Sequence, residues 1–299
     1  MLKVCRLISC WLLPAMGFAL EQAAYTAAID LYAQRKPIEA QRAFEALAVA
    51  NPTHGDIQFY LGRLALQRND AAPAVVYLEK AAALAPRDSR IHHRLGDAYG
   101  LSARKAGLFA QMGWAKKCLA AYEKAVALNP ENIEARSALM NYYLLAPSVV
   151  GGGKNQALQQ AVAIKQKDPA AGRLAMAVVY LADKKYALAF QEYDEALRAN
   201  PTDYAALFQV GRLAAITGEQ PERGLKSLRQ CLELKPTENA PPHAAVHWRI
   251  GFILAQQGDH ARARQAYEAA LKLDPQFAPA LESIKKLPET EIKENPVKV

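Results

Sequence analysis

Aromatic residues are scarce in this 299-residue chain, at 8%, and β-branched runs of the length that buried strands need are nearly absent. A sheet-based core is therefore disfavoured. Alanine and leucine dominate a 52% hydrophobic content, the composition of an all-helical protein. Charged residues reach 22%, scattered in sign, which excludes general disorder. No run of five basic residues occurs, although the net charge is +8. A polyanionic partner would need concentrated positive charge, so specific nucleic-acid binding is not expected, and the charges read as a mixed solvated surface.

Signals for catalysis are missing as well. No serine stands in a G-x-S-x-G elbow, and the carboxylates are spread along helix exteriors without a paired-pocket signature. His243 and His247 share a helical face, but Ala244 follows the first where a zincin helix has Glu, and no third ligand is in sight. His92 and His93 are adjacent, so their side chains diverge by about 100° on a helix. No metal site, cofactor site or catalytic residue is expected, and the chain reads as a non-enzyme. Gly151, Gly152, Gly153 and Lys154 look superficially like a phosphate cradle. Ser148 stands where the first glycine belongs, Asn155 replaces the magnesium-binding hydroxyl, and no strand precedes. The expected role is a glycine-rich turn whose amides cap the next helix and can receive an acidic group from a partner.

The opening stretch has the three-part layout of a secretory leader: Lys3 and Arg6, an apolar core from Leu7 to Phe18, and the small residues Gly17 and Ala19 before the cut. Cleavage after Ala19 is expected, giving a signal peptide over 1–19 and an exported, periplasmic product. The apolar core is shorter than the roughly 20 residues a membrane span needs, and Pro14 interrupts it. An uncleaved anchor is the alternative; after cleavage no stable membrane span is expected. Cys5 and Cys10 would leave with the leader, so only Cys118 and Cys231 would remain of four cysteines.

What the rest of the chain has in abundance is repetition. Pro52, Pro86, Pro130, Pro169, Pro201, Pro236 and Pro275 recur at gaps of 34, 44, 39, 32, 35 and 39 residues. Eight residues before them lie Phe44, Leu78, Tyr122, Ala161, Tyr193, Leu228 and Tyr267. Four residues earlier again come the small Ala40, Ala74, Cys118, Ala157, Ala189, Gly224 and Ala263. Upstream, a large residue, a small one and a third apolar residue recur, as in Leu61-Gly62-x-x-Ala65, Leu95-Gly96-x-x-Tyr99, Val210-Gly211-x-x-Ala214 and Ile250-Gly251-x-x-Leu254. Looser copies begin at Ala27, Leu139 and Met176.

From Glu21 to about Pro275 this pattern resembles the tetratricopeptide repeat family, whose signature of about 34 residues has Leu-Gly and Tyr on one helix, Ala and Phe on the next, and then Pro. The resemblance implies an all-α, right-handed solenoid of about seven helix-turn-helix units. Their expected limits are 21–54, 55–88, 89–132, 133–170, 171–203, 204–238 and 244–276, with a capping helix over 277–287 and a flexible charged tail over 288–299. Close packing explains the small residues, since Gly or Ala lets two helices approach within about 8 to 10 Å. Cys118 and Cys231 fall on second helices of distant units, beyond the Cα separation of about 7 Å a disulfide tolerates, and read as small buried thiols.

The resemblance also implies a protein or peptide partner held in a groove lined by the first helices, and it fixes no oligomeric state. By offset from each Leu-Gly-like pair, the groove residues are Tyr25, Phe59, Arg63, His93, Asp97 and Asn141 in the N-terminal half. Leu174, Val178, Leu181, Phe208, Arg212, Trp248 and Phe252 form a more apolar C-terminal strip, suited to a partner helix or extended hydrophobic peptide. Each of these residues has packing inside the superhelix as its alternative. The ten extra residues of the third unit predict a prolonged hairpin whose tip carries Leu108, Phe109 and Trp114, either as a contact site or packed on a neighbour. The function expected is an exported scaffold or adaptor in envelope assembly or secretion. The alternative is a non-catalytic subunit or activator of an envelope enzyme or polysaccharide export complex.

Overall fold

A computed structural model describes residues 12–236 and 240–288, with side chains from Gln22 onwards. Most of the expected leader and all of the tail beyond Pro288 lie outside the described residues or their described side chains. Among the described residues every regular element is helical: fifteen α-helices and one short 3-10 turn. They fall into two compact units, residues up to Lys167 and residues from Asp168.

The first unit holds four antiparallel pairs. These are α1 (Leu12–Ala33) with α2 (Pro37–Ala50), α3 (Gly55–Gln67) with α4 (Ala71–Leu84), α5 (Ser89–Lys105) with α6 (Leu108–Leu128), and α7 (Ile133–Leu145) with α8 (Lys154–Lys167). The 3-10 turn Ser148–Val150 lies inside the fourth pair. The second unit holds α9 (Pro169–Ala182) with α10 (Tyr186–Ala199), α11 (Tyr204–Thr217) with α12 (Pro221–Glu233), and α13 (His243–Gln256) with α14 (His260–Leu273). Its last helix, α15 (Ala278–Lys286), packs on α14 and α13, in the capping position. Helix α9 begins at Pro169, two residues before the expected 170/171 boundary, because Asp168 caps it directly through the amides of Ala170 and Ala171.

The residues around the recurring proline explain how one pair hands over to the next. Asn129 and Asn200 end α6 and α10, and each accepts a bond from the amide two residues on, at 3.0 and 3.1 Å. Proline follows, cannot continue the helix, and puts an Asx residue at the next N-cap. Asp88, Asn132 and Asp203 there accept from the amides of Arg90, Ala135 and Ala206 at 2.8 to 3.1 Å.

Within four pairs the first helix ends alike. The amides of Lys36, Asp70, Lys185 and Asp259 reach back five residues to the carbonyls of Leu31, Ala65, Tyr180 and Leu254, a Schellman closure. Arg35, Asn69 and Lys184 accept left-handed backbone at φ 56 to 59° to make that turn, where the last pair uses Gly258.

The seam between paired helices is as tight as the sequence implies. A Cβ added to Gly62, Gly96, Gly211 or Gly251 would stand within 2.2 to 2.5 Å of Leu78, Tyr122, Leu228 or Tyr267 respectively. These partners are buried, and they are the large residues that precede each proline by eight. Between successive pairs two tyrosines repeat one bond: Tyr99 donates to Glu79 at 2.7 Å and Tyr143 to Glu123 at 3.0 Å. No pair encloses a core alone, and stability accrues from pair to pair along each unit.

Candidate functional site

Two surfaces bring chemistry-bearing residues together, one in each unit. In the second unit the first helices α9, α11 and α13 carry Leu174, Val178, Leu181, Arg212 and Phe252, all exposed or half-buried. Arg173 and Arg249 stand on the same helices, and neither was singled out by sequence pattern. Among the described residues none of Arg173, Arg212 and Arg249 has a carboxylate partner; Arg212 donates to Gln209 at 3.2 Å. The Nε of Arg249 is shut off from solvent without any hydrogen-bond acceptor. Burial and the positive charge of Arg212 hold the Arg249 guanidinium below its usual range. Burial pushes the Tyr193 phenol up to about 12, with the charge of Glu192 acting the same way and Arg212 and Arg173 pulling against it, so two arginines and one carboxylate act on one region. An anionic group placed there would relieve the arginines' repulsion and supply the missing acceptor.

Three residues expected to face a partner are buried instead. Phe59 is 3% exposed, with the guanidinium of Arg63 5.4 Å and that of Arg90 5.4 Å from its ring centroid. His93 packs on the Tyr122 ring at 6.0 Å, 3.8 Å from an Asp97 oxygen, and Phe208 belongs to the core of the second unit. Phe59 is thus covered both from its own helix and from α5 of the adjoining pair, whereas His93 is covered by the Tyr122 ring of its own pair. Trp248 is half-buried: its indole N–H donates to Ser283 on α15 at 3.0 Å, and Phe277 meets its ring edge-on. Of the remaining N-terminal residues, Tyr25 packs on Phe44 and His54, Arg63 lies over the Tyr32 ring, and Asn141 is exposed.

The second surface is a cleft of about 650 Å³ in the first unit, where α5, the first half of α6 and the end of α7 with its 3-10 turn meet. The extra residues do prolong the hairpin: α5 and α6 run 17 and 21 residues. Leu108 and Phe109 are 75% and 95% exposed near its tip. Trp114 is not at the tip; it is half-buried 5.8 Å from the Tyr99 ring, with the Lys117 ammonium 4.9 Å from its own. Deep in the cleft Tyr122 donates to Asp97 Oδ1 at 2.8 Å, and Arg94 donates to Oδ2 at 2.8 Å.

The glycine-rich corner differs from expectation. The amides of Gly151, Gly152 and Gly153 donate to Ser148, Pro147 and Tyr143 carbonyls at 2.8 to 3.1 Å, which leaves them no proton for an incoming acidic group. Tight backbone is what demands glycine. A Cβ on Gly152 would sit 1.7 Å from the Ala146 oxygen, and Gly151 takes φ +94°. Lys154 opens α8 directly after the corner.

His243 Nε2 lies 3.1 and 2.9 Å from the carbonyls of Cys231 and Leu234, closing the end of α12. Among the described residues no group of three His, Cys, Asp or Glu side chains is placed to hold a metal. Cys118 and Cys231 are unpaired and buried, and desolvation pushes both thiols up to about 12, so neither is a ready nucleophile. No helix among the described residues is long and apolar enough to cross a membrane.

Comparison with known proteins matches three stretches to tetratricopeptide repeat models, over residues 25–99, 101–132 and 244–277. A curated relative, the Hsp70-Hsp90 organizing protein of Triticum aestivum, is 34% identical over 105 residues, which are 34% of this chain and 17% of that protein. Hsp70-Hsp90 organizing protein 3 of Arabidopsis thaliana is 28% identical over 107 residues, 36% of this chain and 18% of the relative. The chain thus spans under a fifth of either relative's length. A tetratricopeptide repeat protein from Parabacteroides merdae has a similar structure, with a TM-score of 0.61 at 16% identity over 89% of this chain and 97% of that one. That likeness concerns the fold.

Proposed function

The chain belongs to the tetratricopeptide repeat family, whose members mediate protein–protein interaction, and from that premise we propose that it is a non-catalytic scaffold holding a partner segment on α9, α11 and α13. The observation that carries this reading is the acceptor missing from the buried Nε of Arg249, on the helices that also carry Arg173 and Arg212 beside the apolar Leu174, Val178 and Phe252. A partner segment with an acidic residue among apolar ones would match both properties. In this reading Phe208 backs that wall from the core of the second unit, and Tyr25, Arg63, Asp97 and Asn141 offer a more polar face in the first unit.

The setting we propose is the cell envelope, reached by export after cleavage behind Ala19. The layered charge, apolar core and small residues of 1–19 support it. A role as subunit or activator of an envelope enzyme is the second reading, favoured by the exposed Leu108 and Phe109 on the prolonged hairpin.

A photo-crosslinking residue in place of Leu174, which is 40% exposed, tests the scaffold in the native cell. One protein partner should be captured, and Arg212→Glu with Arg249→Glu should cut its yield by about tenfold or more. An unchanged yield in the double variant, or no captured protein, refutes the proposal. Mass spectrometry of the mature N-terminus tests export independently: a chain beginning at Leu20 supports it, and one retaining residues 1–19 refutes cleavage.

A further inference from the structure

The prolonged α5–α6 hairpin and the corner after α7 are the two places where the first unit departs from its repeat, and both line the same cleft. Its floor is complete. Cys118 and Tyr122 are buried, and both Asp97 oxygens are engaged by Tyr122 and Arg94. Its rim is not. Leu108, Met112, Leu145 and Val149 line it while 75%, 41%, 84% and 66% exposed. Single exposed apolar residues need no explanation, but four from three separate segments around one concavity form a patch.

Charge narrows the occupant. Asp97 is offset by Arg94, whereas Arg104 on the cleft wall has no carboxylate partner among the described residues. The wall therefore presents one uncompensated cation beside an apolar notch. Phe109, the next residue on α6, is 95% exposed but lies about 100° further round the helix than Leu108 and is not among the residues that line the cleft. We infer that the cleft is a second docking site, for a partner-protein segment that seats one or two large apolar side chains between α6 and the α7 corner and sets a carboxylate against Arg104. The inference rests on the scaffold reading but uses a surface distinct from the arginine strip of the second unit.

Selection of a random 12-residue peptide library against the full chain, with anisotropy measured on enriched peptides, tests it. The expected peptides pair large apolar residues with an acidic neighbour. Leu145→Asp with Val149→Asp should weaken them by tenfold or more, and Arg104→Glu should turn the preference towards basic neighbours. These side chains lie at the surface, and circular dichroism with the urea midpoint verifies that the variants fold. Peptides that bind the Leu145/Val149 variant as tightly as the wild type overturn the cleft assignment. If those peptides are lost on Arg212→Glu with Arg249→Glu, the scaffold reading stands alone; if no peptide is enriched at either surface, both fall. Two further outcomes also overturn the assignment. One is a dimer in sedimentation that dissolves in the Leu145/Val149 variant, which makes a second copy the occupant. The other is a cleft that takes up dodecanoate while no peptide is enriched there.

Discussion

The ring of Tyr122 occupies the space in which a side chain at Gly96 would begin: a Cβ there would meet Cδ1 at 2.4 Å and Cε1 at 2.5 Å. The ring cannot simply swing aside, because its hydroxyl is tied to Asp97 and the ring is buried between α5 and α6. Gly96→Ala should therefore destabilise the first unit by about 1 to 3 kcal/mol, the usual cost of overpacking. Gly107→Ala, at the hairpin turn with nothing within 4 Å of the added carbon, is the matched control and should be close to neutral. Urea midpoints of the two variants decide the point.

Removing a ring should cost more than crowding one. Tyr267 is 2% exposed, and Tyr267→Ala should lose about 3 to 5 kcal/mol in the second unit. Because stability accrues from pair to pair, amide exchange should rise in α13, α14 and α15 while α3 and α4 keep their protection.

Acid should weaken the first unit. Burial holds the His92 and His93 imidazoles below the usual 6.5, and for His93 this outweighs the pull of Asp97. The unfolded chain then binds more protons than the folded one, so stability falls as pH drops through 6.5 towards the folded values and is flat above. Urea midpoints at pH 8, 6.5 and 5 should show this slope, and His93→Gln should reduce it, leaving the part that His92 contributes.

The two buried thiols give a count as well as a rate. Cys118 and Cys231 should react with a thiol reagent far more slowly in the folded chain than in urea. In urea a chain cleaved behind Ala19 should titrate two thiols, and an uncleaved one four, since Cys5 and Cys10 precede the cut.

At the corner after α7, Gly152→Ala should force the Ala146 carbonyl away and break the Gly153 amide bond to Tyr143, 2.8 Å. A local loss of about 2 kcal/mol is expected. Hydrogen exchange at Gly153 should accelerate before that of α3 and α4 does.

The pairing of helices was legible in the sequence because its cause is local: a glycine, a large residue on the next helix and a proline eight further on must recur for the seam to close. The burial of Phe59, His93 and Phe208 was not, because an offset from Leu-Gly states a helical face but not how deeply the adjacent pair covers it. Arg249 is not legible in the sequence for a similar reason. Its significance is an acceptor missing from Nε, and a missing partner leaves no mark in a pattern of residues present. The glycines after α7 suggest free amides in the sequence, yet close backbone approach at Gly152 sets their identity. Exposed Leu145 and Val149 carried no signal either, since an apolar residue at the end of a helix reads as ordinary seam until its neighbours prove absent.

The prolonged hairpin has grown in a particular measure. Helix α5 has 17 residues against 13 in α3, and α6 has 21 against 14 in α4, so the additions are four and seven. At 3.6 residues per turn these are about one rotation and about two, which bring each added stretch back to the azimuth it left. That is how Trp114 can still look towards Tyr99 while Leu108 looks out over the cleft. The spur can be trimmed or extended without disturbing the base only in such whole rotations; cutting two residues from α6 would swing its far end by roughly 200° and turn the cleft wall to water.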